Sequence, residues 1–206
     1  SQRISRVPLP SGPVYLEIKK NPVRLHGAVI GIIGVINDIT QQVTQARELK
    51  ELSFRDTLTG LYNRNNLETR MRRFVRADDF PASLIMADCN YLKRVNDTMG
   101  HEYGDLMLQR VARCIQDSSP PNSVARRGGG DGFLILCPKC PADQAQAVIA
   151  RIRQRLKQRS DGILPLDVAF GSSTAQDDSL TFDQVFHRAD RAMYENKKAL
   201  HRTQVQ

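Results

Sequence analysis

Two carboxylates beside runs of small or apolar residues are the groups in this chain best placed to do chemistry. Asp88 closes the apolar run Ala82-Ser83-Leu84-Ile85-Met86-Ala87, and Asp131 sits inside Arg127-Gly128-Gly129-Gly130-Asp131-Gly132-Phe133. A carboxylate at the carboxyl end of a buried strand stands where open α/β sheets place their ligand sites. Glycines at a hairpin tip remove side chains and let a ligand approach the backbone closely. If the two strands are neighbours, Asp88 and Asp131 converge on one cation, and hard oxygen ligands of this kind suit magnesium bound together with substrate phosphates. Lys93 and the basic last helix, especially Lys197 and Lys198, offer counter-charge to those phosphates. The same residues equally fit an acidic strand end solvated beside a glycine-rich turn, and spacing alone leaves these two readings level.

The elements that must position these groups alternate from Ser53 onward, as in an α/β or α+β domain. The pattern predicts a helix over Asn65 to Ala77, a strand over Ala82 to Asp88, and helices over Tyr91 to Thr98 and Glu102 to Asp117. A hairpin of Ser123 to Arg127 and Gly132 to Cys137 follows, then a helix Ala142 to Arg159, a strand Leu166 to Thr174 and a last helix Phe182 to Lys198. Before Ser53 the chain reads as two strands, Pro13 to Lys20 and Gly27 to Asn37, turning at Asn21-Pro22. Ile39, Val43, Ala46, Leu49 and Leu52 then mark one face of a helix, a stripe narrow enough for a short coiled-coil seam or for packing on its own domain.

With 206 residues the chain holds one full domain and something smaller. Thirty Lys and Arg against 22 Asp and Glu give a net charge of +8, which favours polyanionic partners. The basic residues are spread along helices and only 6% of the chain is aromatic, which argues against a nucleic-acid platform. The longest apolar run, Ala28 to Ile36, is too short to span a bilayer, so no membrane contact is expected within these residues. Four cysteines without a signal-like amino terminus suggest free thiols in the cytoplasm. The Cys137-Pro138-Lys139-Cys140 spacing, with no second pair, reads as incidental rather than as a zinc or redox site.

Five ordered motifs carry a family resemblance over Ser53 to about Arg202. Asp56-Thr57-Leu58-Thr59-Gly60-Leu61-Tyr62-Asn63-Arg64 resembles the opening motif of GGDEF, or diguanylate cyclase, domains. Asp88-Cys89-Asn90-Tyr91-Leu92-Lys93-Arg94-Val95-Asn96-Asp97 resembles their metal and phosphate loop, and Gly100-His101-Glu102-Tyr103-Gly104-Asp105 follows it. Gly129-Gly130-Asp131-Gly132-Phe133 is similar to the signature itself, with glycine where the fourth-position acid is usual, and Ala189 to Lys197 resembles the closing helix. The resemblance implies a palm-like fold, a central and mainly antiparallel sheet flanked by helices. It also implies that two GTP are condensed to cyclic di-GMP and pyrophosphate by a homodimer, with the 39–52 helix setting the geometry of the two domains. In the amino-terminal part, Val14 to Ile18 and Gly31 to Thr40 resemble the last strands of a PAS sensor domain and its Asp-Ile-Thr exit. Residues 1–38 would then be the end of a sensor, beginning inside it and lacking its ligand pocket, 39–52 a signalling helix and 53–206 the GGDEF domain; the alternative is a peripheral hairpin of the main domain.

Carried over by position, the resemblance makes Asp88, the Cys89 carbonyl and Asp131 the ligands of magnesium or manganese, and Asp131, Asp88 and Lys93 the catalytic groups. Lys93 and Lys197 would contact phosphates, Leu92, Gly129 and Gly130 would line the substrate, and Asn96 and Asp105 would bind the guanine edge, whose adjacent N–H donors suit a carboxylate. The departures define the open question. Gly132 removes one acid, and Gly128 replaces an aromatic, loosening the loop. Asn90 stands where a second Asp is frequent, and Asn196 and His201 stand where alanine and arginine are usual. Taking Gly128-Gly129 as the signature pair would remove the catalytic acid, but the ungapped match also aligns Arg127 and Phe133. The Arg-x-x-Asp product site of the family falls on Pro120 and Ser123, so no product feedback is expected there. Two functions follow: a diguanylate cyclase, or a degenerate module that binds GTP or regulates a partner by dimerisation.

Overall fold

A computed structural model describes residues 1–63, 77–161 and 163–203. The chain divides into two compact units, Ser1–Ser53 and Phe54–Gln206. The helix expected over 65–77 lies outside the described residues except at Ala77, which opens a short 3-10 turn, Ala77–Asp79. Among the described residues no helix is long and apolar enough to cross a membrane.

The first unit is an antiparallel sheet of β1 (Gln2–Val7), β2 (Val14–Leu25) and β3 (Ala28–Asp38), followed by helix α1 (Thr40–Ser53). Two sequence expectations are corrected here. β1 was not anticipated, and β2 does not turn at Asn21-Pro22 but runs on to Leu25, reversing at His26 (φ 49°) and Gly27 (φ 83°). Pro22 is tolerated because β1 reaches only Lys19, so the β2 edge that Pro22 presents on that side has no strand needing its missing N–H. The Asp38 carboxylate accepts the Thr40 amide at 2.8 Å, satisfying a free N–H at the start of α1. Val29, Ile30, Ile32, Ile33, Val35 and Ile36 of β3 are exposed. The side chains of Leu49 and Leu52 in the predicted stripe lie outside the described residues.

The second unit contains β4 (Ala82–Cys89), α2 (Leu92–Met99), α3 (His101–Ser118), β5 (Val124–Gly129), β6 (Gly132–Cys137), α4 (Ala142–Arg159), β7 (Val168–Ala175) and α5 (Phe182–Thr203). Its sheet has the order β5-β6-β4-β7 and is antiparallel throughout, matching the mainly antiparallel sheet expected. Alternation along β4 and β6 explains the layers. Ile85, Ala87, Cys89, Phe133, Ile135 and Cys137 face a core shared with α3 and α4 residues such as Met107, Val111, Ile115, Val148 and Ile152. Leu84, Leu134 and Leu136 face the other way, against Val185 and Ala189 of α5. Each fully buried aliphatic side chain of this kind contributes roughly 1.5–3 kcal/mol.

That alternation decides where Asp88 points. It follows Leu84 and Met86 on the α5 side of the sheet, while Cys89 turns into the opposite core. On α5, Val185, Ala189, Met193 and Lys197 are four residues apart, so the stripe that buries the helix ends on Lys197. The close approach depends on Gly171 of β7, where a Cβ would collide with the Met193 amide nitrogen and the Ala189 carbonyl oxygen. The Asn196 Oδ1 accepts the Phe170 amide at 3.0 Å and the Arg153 guanidinium at 3.1 Å, tying α5 to β7 and α4.

Candidate active site

β4 and β6 bring the two predicted carboxylates together. Asp88 lies directly across the ladder from Gly132, and the Cys89 amide donates to the Asp131 carbonyl at 3.0 Å. Gly129 pairs with Gly132, so Gly130 and Asp131 form a two-residue loop, with Gly130 at φ 60°. Arg127 fastens this loop: its Nη2 and Nε donate to the Gly130 carbonyl at 2.9 and 3.2 Å, and its Nη1 reaches the Asp56 carboxylate at 3.5 Å. The looseness expected from three consecutive glycines is therefore opposed by a side chain outside them. Asp56 sits below the usual carboxylate range. Burial pushes it up, but bonds from the Thr59 hydroxyl and amide and the Arg127 charge outweigh that.

Asp88 is held above the usual carboxylate range, first by burial, then by the Asp131 and Asp190 charges, with Lys197 acting against them. The Lys197 ammonium pairs with the Asp88 carboxylate in a short contact, and its own pKa is raised: burial lowers it, and the hydrogen bond and charge of Asp88 more than offset this. A cation thus already sits where Asp88 and Asp131 concentrate negative charge. Among the described residues no group of three or more His, Cys, Asp or Glu side chains forms a metal cage. Two carboxylates with open coordination fit magnesium, which keeps waters and takes further oxygens from a bound phosphate. Burial drives the Cys89 thiol far above its ordinary pKa, so only the backbone carbonyl of that residue is available as a hard ligand.

A cleft of about 470 Å³ opens beside Asp131 and Lys197, lined by Cys89, Tyr91, Leu92, Lys93, Arg94, Asp97, Asp131 and Lys197. Lys93 and Leu92 therefore stand with Asp131 and Lys197, as the sequence reading expected. Asn96 lies on α2 against Gly104 of α3, where a Cβ would collide with its Oδ1, and that Oδ1 is buried without a hydrogen-bond partner. Asp105, the next residue, is exposed. Asp88, Asn96, Asp105, Gly129 and Gly130 are not among the residues lining the cleft. Asn90, where a second aspartate is frequent in the family, is buried; its backbone N–H donates to the Asp167 carbonyl at 2.8 Å, and its side-chain amide is buried without a hydrogen-bond partner among the described residues. The His201 side chain lies outside the described residues.

Sequence reasoning missed Arg127 as the brace of the loop, Arg94 and Tyr91 as cleft walls, and Asn196 as a structural tie. Arg127 had a signal, since it flanks the glycines and an acid precedes it in the opening motif. Asn196 had none, because its partner is a backbone amide. The CxxC thiols are buried, and burial pushes Cys137 up to about 12, which makes it a poor nucleophile or zinc ligand.

The chain is similar to known proteins in sequence and in fold. The family model described as "Diguanylate cyclase, GGDEF domain" matches residues 53–203. The chain is 27% identical over 188 residues to the diguanylate cyclase DgcM of Escherichia coli K12, covering 89% of this chain and 45% of that protein. It is 31% identical to a diguanylate cyclase of Vibrio cholerae, covering 87% and 58%. Among solved structures, the diguanylate cyclase SiaD of Pseudomonas aeruginosa, determined with its activator SiaC, superposes with a TM-score of 0.66 at 32% identity, covering 77% of this chain and 64% of that one. The chain spans about half the length of the curated relatives it matches.

Proposed function

The chain belongs to the GGDEF family of diguanylate cyclase domains, and from that premise we propose that it condenses two GTP into cyclic di-GMP and pyrophosphate as a homodimer. The observation that carries the reading is that Asp131 and Lys197 line a cleft with Lys93, while Lys197 pairs with Asp88 and the Asp131 charge acts on it. The unpartnered Asn96 Oδ1 supports a guanine site, since an amide oxygen buried without a donor gains one from the base's N–H edge. Asp105 would accept from the same edge.

Magnesium or manganese, held by Asp88, the Cys89 carbonyl and Asp131, would neutralise phosphate charge and ease ionisation of the attacking hydroxyl. The chain's own residues do the rest. Lys93 and Lys197 hold the phosphates, Lys197 leaving Asp88 as substrate arrives. Asp131 would lie beside the attacking 3′-hydroxyl of one GTP and accept its proton, passing it on to water. The 3′-oxygen bonds to the α-phosphorus of the second GTP, the bond to the β-phosphate oxygen breaks, and pyrophosphate departs with the electron pair. A second, reciprocal attack closes the ring. Because each domain binds one GTP, two must face each other about a twofold axis, and the 39–52 helix would set that pairing. Residues 1–38 would be the end of a PAS-like sensor that biases it, and the setting would be the cytoplasm.

The second reading, a degenerate module that binds GTP without turnover, is favoured by one observation: the signature reads Gly129-Gly130-Asp131-Gly132-Phe133, and Gly132 leaves the position opposite Asp88 without an acid. Incubating the purified dimer with GTP and magnesium separates the two. Cyclic di-GMP supports the cyclase; GTP binding without product from a verified dimer supports the module.

A further inference from the structure

We propose that Arg94, to which the motif resemblance assigned no role, is a phosphate contact of the substrate cleft. This rests on the reading that the cleft takes a nucleoside triphosphate. Arg94 lines the cleft together with Lys93, Asp131 and Lys197 and is exposed on the first turn of α2. Its side chain makes no ion pair or hydrogen bond among the described residues; only its backbone carbonyl is engaged, by the Thr98 hydroxyl at 2.7 Å.

The charges in the cleft show why it is needed. Asp97 and Asp131 line the cleft with Lys93, Arg94 and Lys197, and before substrate arrives Lys197 is paired with Asp88. Among the described residues of the lining, Lys93 and Arg94 are the cations that hold no carboxylate when an incoming triphosphate first arrives, and Lys197 joins them on leaving Asp88. The start of α2 reinforces them: Tyr91 makes no side-chain cap, and the first turn holds no acid, so its free N–H groups meet no competing anion from that turn. Arginine also presents a planar fork that engages two phosphate oxygens at once, which a lysine cannot do.

Arg94 and Asn96 are two residues apart, or about 200° around the helix, so the side chain that grips phosphate is directed away from the base site. The contact should therefore change affinity for the triphosphate and leave base selectivity alone. A merely structural role for Arg94 would weaken all nucleotides alike.

The test is competition against a fluorescent guanine nucleotide, with GTP, GMP and ATP as competitors, on the wild-type chain and on Arg94→Ala, Arg94→Lys and Lys93→Ala. This reads binding, so it does not depend on turnover. Arg94→Ala should narrow the GTP-to-GMP affinity ratio about tenfold, and Arg94→Lys about threefold, with the GTP-to-ATP ratio unchanged. An unchanged GTP-to-GMP ratio in Arg94→Ala, while Lys93→Ala reduces it, would overturn the proposal and leave the GTP site standing. A wild-type chain that does not prefer GTP over GMP would overturn both.

Discussion

Restoring an acid at position 132 should make the domain less stable without metal and more active with it. Gly132 lies opposite Asp88, and paired residues on neighbouring antiparallel strands carry their Cβ atoms about 5 Å apart on the same face. A Cβ at Gly132 meets nothing nearer than the Gly129 carbonyl oxygen at 4.0 Å, so Gly132→Glu enters without backbone strain. Its carboxylate joins Asp88 and Asp131 where burial and like charge already hold the Asp88 pKa up. Two unit charges about 5 Å apart repel by roughly 3 kcal/mol at an effective dielectric near 20. Screening by water and by Lys197 leaves a net cost of about 1–2 kcal/mol, or a fall of roughly 2–8 °C in Tm for a chain of this size. Thermal denaturation in chelator, then in magnesium with a non-cleavable GTP analogue, reads the effect. The variant should melt lower than wild type in chelator, gain more from the metal nucleotide, and turn over GTP at least about tenfold faster. A variant as stable as wild type in chelator, with no larger gain from metal nucleotide, would refute this account of the position.

Other substitutions probe the supports around the site. Arg127→Ala removes both bonds to the Gly130 carbonyl and the link to Asp56, so turnover should fall about tenfold or more while GTP affinity stays within about twofold; equal losses in both would remove Arg127 from the role of loop brace. Gly171→Val drives a side chain into the α5 backbone at Met193 and Ala189 and should cost about 1–3 kcal/mol or more by calorimetry. Asp88 holds its proton more tightly folded than unfolded, so its contribution favours folding below the ordinary carboxylate pKa and is lost as pH rises through the raised value. Asp88→Asn should therefore flatten the decline in Tm over that window, and a profile parallel to wild type would contradict the assignment. All four cysteines are buried, so a thiol reagent should find none in the native protein and all of them after denaturation.

Much of the second unit was legible because its strands and helices keep clean periods. α4 runs Ala142–Arg159 as the pattern predicted, and β4 and α3 differ by a residue at their ends. The pairing of Asp88 and Asp131 was also foreseeable, since an acid ending one apolar strand and an acid at a glycine hairpin tip need only that the strands be neighbours. The amino-terminal sheet was less legible. Asn21-Pro22 carries a strong turn signal, but Pro22 has no neighbour on its β1 side, a fact of strand length that no local pattern contains. Long-range side-chain roles were hidden for a similar reason. Arg127 reaches an acid 71 residues away, so only its place beside the glycines hinted at a role, and Asn196 bonds a backbone amide 26 residues away, which leaves no trace in sequence spacing.

The proposed cyclase requires that Asp131, on a loop held by Arg127 and near Asp88, suffice for chemistry without an acid at position 132. Purified dimer incubated with GTP and magnesium, followed by chromatography of the nucleotides, measures it directly. Cyclic di-GMP with two pyrophosphates released per product is expected, with loss of both on Asp131→Asn. GTP bound by a verified dimer with no cyclic di-GMP formed, and product appearing only in Gly132→Glu, would contradict it.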